Sequence, residues 1–191
     1  MRTYDTTTAD KLSLFNKAHK SITQPKYTQS NRFSYAASDD MATVLDTVQE
    51  KMQHFTDDDG NLLSIAPDTI IIPNSGKLKR ELFAAIGSEL DPNTNNNAFN
   101  FQLGLWNVLV WNYLPKTIGG KEYFMLLDSD YNKDAMCMPW LDRVSLTVRS
   151  SVDENTDANY WSGRARFGAG FNDWRAISIV GDAMTNGTAL L

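Results

Sequence analysis

The chain has 191 residues, 42% of them hydrophobic, and a formal net charge of −5 from 18 basic and 23 acidic side chains. A chain of this length buries roughly 70% of its extended surface on folding, so its core needs no metal or disulfide. The mildly acidic balance argues against a dedicated nucleic-acid binder, which carries a basic face.

The single cysteine, Cys137, excludes an intramolecular disulfide; in the apolar run Ala135-Met136-Cys137-Met138 it reads as buried and inert. The N-terminal MRTYDTTTADKL has no signal-peptide core, and no apolar run approaches the ~20 residues of a membrane-spanning helix. The expectation is a soluble protein made in a reducing cytoplasm.

Residues 1–37 are polar with scattered aromatics. Leu12, Leu14, Phe15 and His19 fit a short helix or an edge segment, and residues 21–31 read as a loop or extended arm. A helix follows, with Ser38 as N-cap, Asp39 and Asp40 at the positive end of the dipole, and Met41, Val44, Leu45, Val48 and Met52 on one face. Three isoleucines between Pro67 and Pro73 predict a short buried strand, and residues 75–86 a second helix closed by Gly87. The asparagine-rich stretch 91–100 is a loop. After it the character turns to β: strands are expected over 103–114, 123–127, 143–149, 161–167 and 173–180, with an acidic turn at 153–159 and a frayed tail from Gly181. In 143–149, simple alternation sets Val144, Leu146 and Val148 on one side and Arg143, Ser145, Thr147 and Arg149 on the other. The fold class is α+β, helices around a mostly antiparallel sheet.

Few residues suggest chemistry. Asp57-Asp58-Asp59-Gly60-Asn61 fails the EF-hand register, which would put Phe55 at the first ligand position. The stretch 128–134 has Lys133 where such a loop needs glycine and Pro139 where it needs glutamate, so both read as solvated turns. His19 and His54, with one cysteine, are too few for a zinc signature and read as capping or packing residues. No G-x-S-x-G elbow is present. Pro73-Asn74-Ser75-Gly76-Lys77-Leu78 lacks the first glycine and the Ser/Thr of a phosphate loop, which leaves Lys77, Lys79 and Arg80 on the exposed side of a helix. The expectation is a protein that is not an enzyme, with no cofactor, no metal and no catalytic residue.

The stretch YWSGRARFGAGFNDWRAI concentrates two tryptophans, two phenylalanines, a tyrosine and three arginines in eighteen residues. Arg164 and Arg166 share one strand face; Trp161, Gly163, Ala165 and Phe167 share the other. Two readings stay open: an amphipathic strand with its arginines in water, or a subunit interface, where arginine and aromatics are enriched. On the second, Arg164, Arg166, Asp173, Trp174 and Arg175 are the interface candidates, Asp173 and Arg175 pairing with charges on a neighbour.

The ending FGAGFNDWRAI resembles the closing segment of tailed-phage major capsid proteins of the Hong Kong 97-type shell fold. Leu14-Phe15 followed by His19, Phe33-Ser34-Tyr35-Ala36-Ala37 before the helix, and DDDGNLL followed by IAPDTIIIPNS resemble, in the same order, motifs of the Mu-like major head subunit branch. The likeness covers 4–180. It implies an arm or peripheral-domain segment over 1–37, an axial domain over 38–160, and returning peripheral strands and a tail over 161–191. It implies a virion protein, made in the host cytoplasm, whose copies form pentamers and hexamers of an icosahedral shell around DNA. Its partners would be copies of itself and scaffold, protease or portal proteins, with no sequence-specific nucleic acid and no membrane. Family members carry an N-terminal arm, a hairpin loop and a spine helix ahead of the matched region, which implies that this chain corresponds to a C-terminal part. The rival from another class is an aromatic-rich β module that binds carbohydrate or a partner. An enzyme built on 128–134 comes third.

Overall fold

A computed structural model of the chain describes residues 8, 10–21, 23–24, 26–36, 38–89 and 99–182. Most of the asparagine-rich loop and the tail after Asp182 lie outside the described residues.

The chain enters through a two-stranded antiparallel pair, β1 (His19–Lys20) and β2 (Thr28–Gln29), and then β3 (Arg32–Tyr35). Residues 12–15 form neither helix nor named strand; Leu14 and Phe15 instead pack on the apolar core. Helix α1 (Met41–Gln53) buries Met41, Val44, Leu45, Val48 and Met52, the face predicted from their spacing. Its N-cap is Asp40 rather than Ser38: the Asp40 carboxylate accepts from Thr43 N at 3.2 Å, while Asp39 accepts from Ala36 N at 2.7 Å and shapes the turn before it. His54 is the C-cap.

Strand β4 (Thr69–Pro73), helix α2 (Gly76–Ile86) and strand β5 (Asn107–Trp111) form a crossover unit whose strands pair in parallel. Gly87 closes α2 as expected. Strand β6 (Tyr123–Leu127) leads to the short helix α3 (Ser129–Asp134), then to the long strands β7 (Trp140–Val152) and β8 (Asn159–Ala169), and finally to β9 (Ile177–Asp182).

The central sheet has the order β3-β9-β6-β4-β5, with parallel pairs at both edges and antiparallel pairs between. The fold is therefore α+β, as the sequence predicts, but its central sheet is evenly mixed. Strict alternation sorts its side chains. Ile70, Ile72, Phe124, Leu126 and Val180 meet the apolar faces of α1 and α2, while Ile71, Tyr123, Met125, Ile177 and Ile179 form a second cluster with Ile118. Both helices thus cover one face. On the other, Leu14, Phe15, Leu114 and Met138 from loops complete the packing. Burial on both faces is why β4 and β6 read as unbroken apolar runs.

Two divisions expected from the resemblance meet different geometry. Within 1–37, the described residues around β3 are tied into the body, because β3 pairs with β9 and Asn31 is fully buried. The divide at 160/161 falls inside a ribbon, since β8 pairs with β7 along its length, and β9 returns to the central sheet between β3 and β6.

Candidate functional site

Strands β7 and β8 make a two-stranded antiparallel ribbon that, among the described residues, pairs with no other strand. Every residue of β8 is exposed, and in β7 all but Val144 are. The root is fixed by main-chain bonds from Gly170 N to Pro139 O (3.3 Å) and Asn172 N to Cys137 O (2.7 Å), with Asn172 Nδ2 donating to Met136 O at 2.9 Å. At the tip, Asp153 accepts from Asn155 N and Thr156 Oγ1, both at 3.0 Å, which forms the expected acidic turn.

The register sets what each face presents. Val148 lies opposite Gly163, Ser150 opposite Trp161 and Val152 opposite Asn159, while Thr147 faces Arg164 and Arg149 faces Ser162. Nearer the root, Asp142 lies opposite Phe167 and Trp140 opposite Ala169. The register shifts between Asp142 and Val144 and again between Val144 and Thr147. Each extra residue in β7 reverses the alternation beyond it. Val144, paired with Arg166, therefore sits on the arginine face, which corrects the simple alternation that grouped it with Leu146 and Val148. Leu146 stays with Val148, its Cδ1 being 3.6 Å from where a Cβ on Gly163 would stand. One face thus carries Trp140, Leu146, Val148, Val152, Trp161 and Phe167, each 57–76% exposed, and the rings of Trp140 and Phe167 stack at 4.9 Å. The other carries Arg149, Arg164 and Arg166.

Of the five sequence-predicted interface residues, Arg164 and Arg166 lie exposed on the ribbon. Asp173, Trp174 and Arg175 lie past it in a packed corner of the body. Trp174 is 4% exposed. Its ring stacks on His19 at 4.2 Å with planes 6° apart, meets Phe55 edge-on at 5.2 Å and lies under the Arg175 guanidinium at 4.9 Å. Arg175 donates to Thr56 O at 2.9 Å, to Asp58 Oδ1 at 3.0 Å and to Asp173 Oδ1 at 3.2 Å. These charges, expected to reach a neighbour, are paired inside the chain, because the guanidinium is largely buried and a buried cation needs partners. Coulomb attraction to Asp173 and the bond to Asp58 outweigh burial and hold the Arg175 guanidinium above its ordinary pKa.

The same corner explains His19. Its Nδ1 lies 2.6 Å from Asp10 Oδ2 and its Nε2 3.1 Å from Asn31 Oδ1, so both ring nitrogens meet oxygen acceptors. Asn31 in turn donates to Leu14 O at 2.7 Å and Ile177 O at 3.0 Å, joining the entering segment to β9. Burial pushes the Asp10 carboxyl up, but bonds from Thr8, His19 and Leu12 together hold it below the usual range. His19 packs and His54 caps, the two roles read from the sequence. The crevice in the Trp174–Arg175 corner, lined by Asp10, Lys20, Asp58 and Asn172 to Arg175, has a volume of about 140 Å³. That is below the ~300 Å³ at which small-molecule pockets begin.

The acidic stretches serve local structure. Asp57 accepts from Asp59 N (2.9 Å) and Asn61 N (2.8 Å), and Gly60 turns with φ +93, its α-carbon so close to Tyr27 that a Cβ would stand 3.2 Å from the ring. Asp128 caps α3 through Tyr131 N at 2.8 Å and accepts from Ala66 N at 2.7 Å. Cys137 is fully buried, and burial, with Asp173 nearby, pushes its thiol up to about 12. Met136 beside it is 67% exposed. Lys77 is exposed and reaches Glu122 at 3.0 Å.

Sequence reasoning missed a second exposed apolar region. Phe101, Leu103, Leu105, Leu109, Trp111 and Tyr113 are 38–92% exposed around β5, an edge strand of the sheet. Leu109 and Trp111 alternate with Val108 and Val110, which turn inward. The signal was in the sequence: residues 99–113 hold no charged side chain. Among the described residues, no group of three or more His, Cys, Asp or Glu is arranged to hold a metal, and no helix is long and apolar enough to cross a membrane. No protein-family model matches the chain, and no curated protein matches it at a significant level.

Proposed function

We propose that the chain is a structural subunit of a phage or prophage icosahedral head, of the Hong Kong 97-type, whose copies associate into pentamers and hexamers around packaged DNA. The ribbon is the observation that carries this reading. A two-stranded ribbon is marginal by itself in water, and one apolar face along its length, exposed in the isolated chain, is a surface built for association. The motifs in shared order with Mu-like head subunits give the class of assembly. On this reading the function lies in geometry: each subunit offers one surface to the next, closure sets the ring, and many modest contacts hold the shell by avidity. The central sheet with its two helices would serve as the axial domain. The protein's place would be the virion, with copies of itself as principal partners.

Electron microscopy of the protein expressed from its complete reading frame tests the proposal. Shells, capsomer rings or polyheads are expected; a uniform monomer from a frame that supplies the family's arm and hairpin loop overturns it. A second reading, an aromatic-rich module binding carbohydrate or a partner, draws on Trp111, Trp140 and Trp161, which are 48%, 64% and 76% exposed. Acrylamide quenching of tryptophan fluorescence that added sugar reduces would favour the module; quenching that falls only as the protein assembles favours the head subunit.

A further inference from the structure

Resting on the assembly reading, we infer that the apolar face of the ribbon docks onto the β5 edge, residues 99–113, of a second copy of this chain. Exposed large apolar side chains are not scattered over the molecule. Of nineteen such residues among those described, eight lie on the ribbon, six of them on its apolar face, and seven in 99–113. These are two different surfaces on one chain, one on a two-stranded ribbon and one along a sheet edge with no further strand among the described residues, which is the requirement for a head-to-tail contact. An edge strand flanked by exposed leucine and tryptophan is an aggregation hazard unless something covers it.

The charges point to the same occupant. The receiving segment has no charged residue, and of the charged side chains whose pairing is defined only Asp142, near the root, falls on the donating face. Apolar surface without charge meets apolar surface almost without charge, and no ion is stripped of water unpaired. The ribbon strands as a whole hold four arginines against one aspartate, while the chain is net acidic. With the apolar face docked, Arg149, Arg164 and Arg166 point outward, towards water or a further acidic copy.

The size of the contact fits repetition rather than a lone dimer. Thirteen residues at ~3.3 Å each make a ribbon about 40 Å long and, with two strands, about 10 Å wide. Its face then covers about 400 Å², roughly 800 Å² over both partners, short of the ~1,200 Å² of a stable isolated pair. Each copy gives one ribbon and receives one, so a closed ring gains from every contact at once.

Disulfide mapping on the full chain tests the assignment. Ser150→Cys places a thiol on the ribbon's apolar face, and Asn107→Cys places one on β5 beside Leu109 and Trp111; Cys137 is buried and left as it is. Assembled from an equal mixture under mild oxidation, the two variants should give the mixed disulfide well above either homodisulfide, as read by mass spectrometry. Assembly with only the Ser150→Cys homodisulfide means ribbon against ribbon and overturns the docking surface while the assembly reading stands. A protein from the complete reading frame, with the family's arm and hairpin loop, that stays monomeric in ultracentrifugation at every concentration overturns both. As a second measurement, Leu109→Asp and Val148→Asp should each weaken association at least tenfold with unchanged circular dichroism. The double variant should be no weaker than either alone. Wild-type association of Leu109→Asp overturns the proposal.

Discussion

Strand β6 and one face of the ribbon carry similar apolar side chains and meet opposite fates. In β6, Tyr123, Phe124, Met125 and Leu126 are all buried, alternate side chains meeting the helices on one face and loops on the other. In the ribbon, Trp161 and Phe167 of β8 alternate just as regularly, and they remain in water with Trp140 and Val148 of β7 on the same face. The difference lies in what stands above the face. The body buries its apolar faces within the chain, whereas no described element lies over the apolar face of the ribbon.

Core truncation gives the largest contrast. Phe124→Ala, at a fully buried site facing both helices, should cost about 3–5 kcal/mol in chemical denaturation. Trp161→Ala should change the stability of the isolated chain by less than about 0.5 kcal/mol. Equal losses at the two sites would break the comparison, because they would mean the ribbon is packed within its own chain. Hydrogen exchange sharpens it along the backbone: amides of β4, β6 and β9 should exchange near the global unfolding rate, and those of β7 and β8 many times faster until the protein assembles.

Next in size is the corner that fastens the entering segment. Asp10→Asn removes the carboxylate from buried His19 and should cost about 1–3 kcal/mol. The native Asp10 pKa is lowered, so its contribution is complete above the unfolded value near ~4 and lost as pH falls through the lower folded value. Denaturation midpoints should therefore drop on acidification in the wild type and drop less in the variant. The smallest effect is at the start of α1: Asp40→Ala should cost about 1 kcal/mol, by loss of the bond from Thr43 N. Ser38→Ala, at the position the sequence favoured, should be near neutral.

Much of the body was legible because its signals are local. The spacing of Met41 to Met52, the three isoleucines of β4, Gly87 at the end of α2 and the run of β6 each record a period or a cap within a dozen residues. The ribbon was half legible. Its alternation marked two strands, but extra residues in β7 shift the phase, and a bulge leaves no reliable trace in composition. Asp173, Trp174 and Arg175 were read as an interface because arginine beside tryptophan has the same composition in a packed corner as at a subunit boundary. Their partners, Asp58 and His19, lie more than a hundred residues away in the chain.

The sequence by itself determined α1, α2, β4 and β6 and, in the two helices, which face is apolar, since these follow from local repeats and caps. The tertiary structure alone decided the strand order that returns β9 to the sheet interior, the burial of His19 against Trp174, and the exposure of the ribbon and the β5 edge. Those depend on which surfaces meet across long separations in the chain, and an apolar residue reads the same in sequence whether another element covers it or water does.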